Sequence, residues 1–371
     1  MVEMLWLTEN YPPQRGGMAQ SCDRIINGLR KSGHTIHIIH LYQGSRPYQR
    51  KTEQNGSYTS IPFEDSEAHT LNRLYIFLRQ QYTSIGFLVC FGGYLPLLAA
   101  PVYKKWLNVK LVTMFRGNDF DLGIFTPRKR GYIEDAIIEA NLVISVSKKK
   151  SEQIELLIPN RQVQYVPNGI DLDEWQPMQS EISFAHRWRE ENVKKEELVF
   201  GIFGQLKAKK GVNFFLETVH LKKLTDRIKF LFVGELNEAS KTELTDKNIN
   251  YVHLEFLDHF ELMKYYLTCD AVAIPSFYDG MPNVLLESAA LGIPVITSDV
   301  DGMYDLLAPL DYPFMFRAGD IEDCGKKVFD YLQLPKEKRA SLGELLKTTI
   351  KTNYTKEMET EKLSELLTNI I

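Results

Sequence analysis

Among 371 residues only four are cysteine, and Cys22, Cys90, Cys269 and Cys324 stand far apart. No CxxC pair occurs and no histidines fall at metal-ligand spacing, so neither a disulfide framework nor a zinc site is indicated. A reducing, cytoplasmic setting is the expectation. Long apolar runs are also missing: no stretch approaches the roughly 18 residues of a membrane span. The opening MVEMLWLTENYPP lacks the basic start and apolar core of a signal peptide. A soluble protein is therefore expected. Low-complexity tracts and short repeats are absent, so nothing points to a repeat array or a disordered tail.

A strong excess of one charge is lacking too, since the net charge is -4. Its distribution is uneven. Residues 1–170 hold 20 Lys plus Arg against 14 Asp plus Glu, and the remainder holds 24 against 34. Part of the front excess lies in short clusters at Lys104–Lys105, Arg128–Arg130 and Lys148–Lys150. Such clusters are either a solvated face or a patch for anionic lipid or an anionic acceptor. Aromatic residues are not interleaved with them as in a base-stacking platform, so no nucleic-acid partner is expected.

The length is about twice that of one domain, and 44% hydrophobic content supplies two cores. Short apolar runs ending in turn residues alternate with segments of helical period, the rhythm of parallel α/β sheets. It occurs twice. Strands are expected at 4–8, 35–42, 87–90, 110–114, 142–146 and 163–166, then at 198–203, 229–233, 250–254, 271–274 and 294–297. A turn-rich seam, Pro167-Asn168-Gly169-Ile170-Asp171, precedes Trp175, Pro177 and a polar linker reaching to about Glu197. The expected division is residues 1–175, residues 176–353, and a last helix over 354–371 that need not belong to the domain before it.

Four segments carry chemistry. In Pro275-Ser276-Phe277-Tyr278-Asp279-Gly280-Met281-Pro282-Asn283-Val284-Leu285-Leu286-Glu287, a buried strand runs through a glycine turn into a helix. N–H groups from Gly280 to Leu285 would point at a phosphate, reinforced by the helix dipole. Asp279 and Glu287 lie about two helical turns apart, so one carboxylate can face a sugar and the other ribose hydroxyls. In Phe203-Gly204-Gln205-Leu206-Lys207-Ala208-Lys209-Lys210-Gly211 a second strand enters a lysine-rich turn that can neutralise pyrophosphate. The Gly16-Gly17 loop after the first strand lets backbone N–H groups approach a ligand closely, without the full GxGxxG spacing. In Phe115-Arg116-Gly117-Asn118-Asp119-Phe120-Asp121, Arg116 and Asp119 read either as a structural ion pair or as a ligand-facing loop at the C-terminal end of a sheet. Asp119 and Asp121 also match the short DxD pattern of metal-dependent glycosyltransferases.

With these segments in this order, the chain resembles retaining glycosyltransferase family 4. PSFYDGMPNVLLESAALGIPVITSDVDG resembles the family's donor signature of two acidic residues with seven between them, and VPNGIDLDEW its hinge. The resemblance implies the GT-B fold: two Rossmann-like doubly wound parallel-sheet domains facing a central cleft, with a C-terminal helix crossing back to the N-terminal domain. It implies that Gly16 and Gly17 approach donor phosphates or acceptor and that Lys210 binds pyrophosphate. It further implies that Asp279 faces the transferred sugar, lined by Gly280, Met281, Pro282 and Asn283. Val284 and Leu285 would offer N–H groups to the phosphate, and Glu287 would hold the ribose. Three positions depart from the family pattern. Asp279 stands where glutamate is usual, Gln205 where arginine is usual, and Arg116 where many members have histidine.

The expectation is a hexosyltransferase that takes a sugar from a UDP- or GDP-sugar and passes it, with retention, to a sugar, glycan or lipid-linked acceptor. Asp279, Lys210 and Arg116 are the catalytic candidates, and Arg116, Asn118 and Asp119 the acceptor-side candidates. No cofactor or metal is expected, because Lys210 and helix-terminal N–H groups can stabilise the departing diphosphate. Peripheral contact with anionic membrane remains open. The rival readings are a phosphorylase of the same fold and a nucleotide-sugar-binding scaffold without turnover.

Overall fold

The computed structural model describes residues 2–43, 48–63, 66–83, 85–236 and 238–370. The chain divides into two units, Met1–Asn168 with Lys356–Ile371, and Gly169–Thr355.

The first unit is built on eight strands: β1 (Glu3–Thr8), β2 (Thr35–Tyr42), β3 (Gln49–Glu53), β4 (Gly56–Pro62), β5 (Phe87–Phe91), β6 (Lys110–Phe115), β7 (Leu142–Ser145) and β8 (Val163–Tyr165). Their order is β3-β4-β2-β1-β5-β6-β7-β8, with every pairing parallel except β3 with β4. In β1 five consecutive residues are buried because both faces are covered. Met4 and Trp6 face one core with the helices Gly17–Lys31 and Lys356–Asn369, while Leu5 and Leu7 face the other. The last helix belongs to this unit through Leu363 and Leu367, both buried in the Trp6 core.

β3 and β4 lie outside the strands expected from apolar runs. Their connection turns at Gln54-Asn55, and Asn55 has φ 57°. Gly56 follows at φ +143°, where a Cβ would fall 1.9 Å from the Ile36 carbonyl oxygen. A two-residue Gln54-Asn55 loop, followed at once by Gly56, therefore joins two strands too polar to stand out by hydrophobicity.

The second unit carries β9 (Leu198–Phe203), β10 (Ile228–Val233), β11 (Tyr251–Leu254), β12 (Ala271–Ile274), β13 (Val295–Ser298) and β14 (Met315–Phe316). All pair in parallel, in the order β11-β10-β9-β12-β13-β14. The chain steps outward from β9 in one direction and from β12 in the other, so the switch point lies between them. The two-residue β14 was too short to read from periodicity.

The seam differs from expectation. Residues 169–175 join the second unit, because the Ile170 amide donates to the Tyr354 carbonyl at 2.9 Å and Trp175 packs edge-on against Tyr266. The segment read as a polar linker holds the helix Gln179–Asn192, whose Trp188 is buried and whose Phe184 meets Tyr265. The break between the two tail helices falls at Tyr354–Thr355. Among the described residues no helix is long and apolar enough to cross a membrane.

Candidate active site

In the second unit both lysine and carboxylate loops flank the switch point. After β9 the chain turns at Gly204, with φ +100°, and a Cβ on Gly234 would stand 1.9 Å from the Gly204 carbonyl oxygen. The short turn Ala208–Lys210 ends at Gly211, with φ +65°, where a Cβ would fall 2.0 Å from the Pro275 carbonyl oxygen. Phe277 donates its N–H to the Lys209 carbonyl at 2.8 Å. Two glycines and one backbone bond thus seat the lysine turn directly on the loop after β12.

The charged groups then meet. The Lys210 ammonium pairs with Oδ2 of Asp279, and Lys209 Nζ lies 3.5 Å from Oδ1. The Gly280 N–H donates to the same Oδ1 at 3.1 Å. Burial alone would raise the Asp279 carboxyl, but the charges of Lys210 and Lys209 outweigh it and hold the group below the usual carboxylate range. Lys207 and Gln205, on the same turn, are exposed.

Beyond Asp279 the loop is tightly held. The Gly302 N–H donates to the Gly280 carbonyl at 2.7 Å, Met281 and Pro282 are buried, and Ser298 Oγ donates to the Ser276 carbonyl at 2.5 Å. The helix Asn283–Ala290 begins without a side-chain cap, and its dipole turns a positive end toward the Asp279 loop. The Leu285 N–H donates to the Pro282 carbonyl at 3.0 Å, closing the first turn of this helix. Glu287 is buried and accepts the Tyr266 hydroxyl at 2.6 Å. Tyr266 in turn stacks on Phe203, with ring centroids 4.0 Å apart. Nothing in the sequence pattern singled out Tyr266 as the residue that fixes this carboxylate, and the partnership of Lys209 was equally unread.

In the first unit, Gly16 starts the helix Gly17–Lys31 at φ 123° with no side-chain cap, and Gly17 is exposed. Arg116 differs from expectation. Its side chain is 2% exposed and is spent inside the unit on Glu359, Asn168 and the Val166 carbonyl, so the expected substrate-facing guanidinium is a buried structural group. Nor does it form an ion pair with Asp119. That carboxylate instead accepts the backbone N–H groups of Arg116 at 2.9 Å and Gly117 at 2.8 Å, and burial raises it above its ordinary value despite them. Asp121 pairs with the fully buried Lys150, so the two DxD carboxylates serve different partners. Asn118 opens the short helix Asn118–Asp121, and its side chain lies outside the described residues.

Two doubly wound sheets, with lysine and carboxylate loops at the switch point of one and an uncapped helix start beside them, define the nucleotide-binding α/β class of enzyme. Residues 185–348 match the family model for glycosyl transferases group 1, and residues 15–174 match that for glycosyltransferase family 4. The chain belongs to glycosyltransferase family 4 and has the GT-B fold.

Curated relatives include the putative teichuronic acid biosynthesis glycosyltransferase TuaC of Bacillus subtilis, 27% identical over 56% of this chain and 51% of its own. Another is an uncharacterized glycosyltransferase of Methanocaldococcus jannaschii, 22% identical over 82% of this chain and 83% of its own. A third, from Escherichia coli, is a UDP-Gal:alpha-D-GlcNAc-diphosphoundecaprenol alpha-1,3-galactosyltransferase, 24% identical over 45% of this chain and 44% of its own. The chain thus spans about half the length of the first and third of these relatives. Among solved structures, Anabaena HepE in complex with UDP and glucose superposes with a TM-score of 0.78 at 15% identity, covering 99% of this chain and 100% of that one. Sucrose-phosphate synthase from Thermosynechococcus elongatus superposes with a TM-score of 0.79 at 14% identity, covering 100% and 99%.

Proposed function

We propose that this protein transfers a sugar from a nucleoside-diphosphate sugar, UDP- or GDP-linked, to a carbohydrate or lipid-linked acceptor, with retention and without a metal. The observation that carries the reading is the Asp279 carboxylate held between Lys210 and Lys209 beside an uncapped helix start. Positive charge is thereby arranged in advance where a diphosphate would leave, which is the most effective form of electrostatic catalysis. Support comes from HepE, crystallised with UDP and glucose, and from the E. coli relative, whose name gives a UDP-sugar donor and a lipid-linked acceptor.

In the proposed reaction the bond from the anomeric carbon to the diphosphate oxygen breaks and its electron pair leaves with the diphosphate. Lys210 and the N–H groups offered by Val284 and Leu285 at the start of the helix stabilise that charge. Glu287, oriented by Tyr266, holds the ribose, while Asp279 meets hydroxyls of the departing sugar. The acceptor oxygen attacks from the face the diphosphate leaves, and the diphosphate oxygen takes its proton, so configuration is kept. Work in the cytoplasm at the inner face of an anionic membrane is part of the proposal, motivated by the basic clusters of the first unit.

The test is a thermal-shift panel with UDP, GDP, ADP and dTDP, each at about a hundred times a plausible dissociation constant, where a specific ligand stabilises by about 2.7 kcal/mol. One nucleotide should shift the transition and Glu287→Ala should abolish the shift. Transfer with that nucleotide's sugars, in chelator, then reads the anomeric configuration by NMR. Absence of any shift would turn the reading toward the scaffold, and strict dependence on inorganic phosphate toward the phosphorylase.

A further inference from the structure

We infer that Glu9 is a specificity-determining residue of the first unit: it fills the anion position at the unit's own switch point, so the acceptor group held there is an uncharged sugar and a phosphate-bearing one is refused. That the ligand is an acceptor rests on the proposed transfer reaction. That it is uncharged rests on the groups around Glu9.

In the order β3-β4-β2-β1-β5-β6-β7-β8, the chain runs from β1 outward to β2 and β4 on one side, and from β5 to β6, β7 and β8 on the other. The switch point therefore lies between β1 and β5, and the loops after these two strands form the crevice where open parallel sheets take ligands. Glu9 is the first residue after β1. The loop after β5 is only Gly92-Gly93, followed at once by the helix Tyr94–Leu107.

A helix start in this position is ordinarily an anion site. Here it is occupied from within. Glu9 Oε1 accepts the Leu95 N–H at 2.6 Å, and Oε2 accepts the Tyr94 N–H at 3.2 Å. Pro96, third in the helix, has no N–H. One carboxylate thus takes both N–H groups that the first three residues offer, and its full negative charge exceeds the helix end's charge of about one half. Glycine permits the approach: Gly93 has φ +84°, and a Cβ there would stand 3.0 Å from Glu9 Oε2.

The same loop meets two further carboxylates. A Cβ on Gly92 would fall 2.8 Å from Asp119 Oδ2, and Glu67 accepts the Tyr94 hydroxyl at 2.7 Å. Of the cations that act on this group, Arg116 is spent on Glu359 and Lys150 on Asp121, which leaves exposed Lys129 facing Glu9. Beside Glu9 the surface is aromatic: Tyr94 and Tyr132, both half-buried, have ring centres 5.1 Å apart. Aromatic surface with a few fixed polar groups is the usual lining of a small-molecule site. A carboxylate has lone pairs beyond the two used by N–H groups, and these accept hydroxyls, of which a sugar has many.

The test follows the Tyr94 and Leu95 amide signals of the full chain, isotope-labelled at tyrosine and leucine, as inorganic phosphate or glucose 6-phosphate is added. In the wild type neither anion should move them. In Glu9→Ala both anions should move both signals and raise the unfolding midpoint, with apparent binding about tenfold tighter than in the wild type. Glu9→Gln, which keeps the side-chain shape and loses the charge, should fall between. Among transfer acceptors, uncharged methyl glycosides should outperform their 6-phosphates in the wild type, and Glu9→Ala should narrow that gap by about tenfold. A carboxylate that only capped the helix would leave Glu9→Ala less stable and still indifferent to phosphate, and that result overturns the proposal. So does a phosphate response of the Tyr94 and Leu95 signals in the wild type, or a wild-type preference for the phosphorylated acceptors. The nucleotide thermal shift of every variant reads the donor site separately. The expected phosphate pattern without any nucleotide shift would remove the transferase reading and still uphold the exclusion of anions by Glu9.

Discussion

Arg116 and Glu359, 243 residues apart in sequence, meet at 2.9 Å with both side chains 2% exposed. Glu359 also receives Arg24 at 2.8 Å, so one carboxylate from the last helix serves two guanidiniums in the body of its unit. Removing one partner of a buried pair typically costs about 3–5 kcal/mol, because the other charge is left without compensation. Glu359→Ala should therefore destabilise the first unit within that range and strip hydrogen-exchange protection from Lys356–Asn369. Glu359→Gln, which still accepts hydrogen bonds, should lose less. Unchanged exchange over the last helix in the alanine variant would show that Leu363 and Leu367 alone hold it.

In the proposed reaction Lys209 supplies the positive charge that Gln205 does not. Gln205 is neutral and exposed, Lys207 is exposed, and Lys209 lies 3.5 Å from Oδ1 of Asp279, the oxygen that also accepts the Gly280 N–H. On this arrangement Lys209→Gln should weaken diphosphate binding about tenfold, or ~1.4 kcal/mol, and Gln205→Arg added to it should restore much of the loss. Lys207→Gln should change little. Calorimetric titration of all four proteins with the nucleotide identified by thermal shift decides this. Equal affinity of Lys209→Gln and wild type would leave Lys209 with only its contact to Asp279.

The two sheets, the strand-turn-helix run from Pro275 to Glu287 and the separate last helix were legible because their signals are local. Buried strands show as apolar runs, and the run from Asp279 to Glu287 keeps strand, turn and helix start in one continuous segment. What stayed hidden depends on long-range pairing. Arg116 lies in a loop at the ligand-binding end of a strand, and only the arrival of Glu359 reveals where its charge goes. Tyr266 carries no motif, and its role exists because β9 places Phe203 beneath it. The hairpin from β3 to β4 was missed for a different reason, since its polar alternation resembles a solvated loop and only Asn55-Gly56 marks the turn.

Tyr266 offers a test of how far orientation matters. Its hydroxyl fixes Glu287, so Tyr266→Phe removes one hydrogen bond to a charged group and keeps the stack on Phe203. A loss of about 1.5–3 kcal/mol in interaction is the usual scale for such a bond. With the carboxylate still present, the effect should appear mainly as a rise of about tenfold in donor KM, with kcat little changed. Steady-state kinetics against varied donor separates the two, and a fall confined to kcat would place Glu287 in the chemical step instead of in ribose binding.

Asp279 predicts a sign in the pH dependence of stability. Its carboxyl is held below the ordinary range in the folded protein, so the folded state binds that proton less readily than the unfolded chain does. The stability from the clamp is thus complete above the unfolded value of about 4 and is lost as pH falls toward the folded value. Asp279→Asn removes the clamp at every pH and leaves Lys209 and Lys210 without their shared counter-charge. The gap in unfolding midpoint between wild type and variant should therefore be widest near neutrality and shrink as the pH is lowered from about 5 toward 3. Asp119, raised by burial, works in the opposite sense and is common to both proteins, so it cancels in the difference. A gap that stays constant across this range would mean that Asp279 acts through packing and hydrogen bonds, with its charge contributing little.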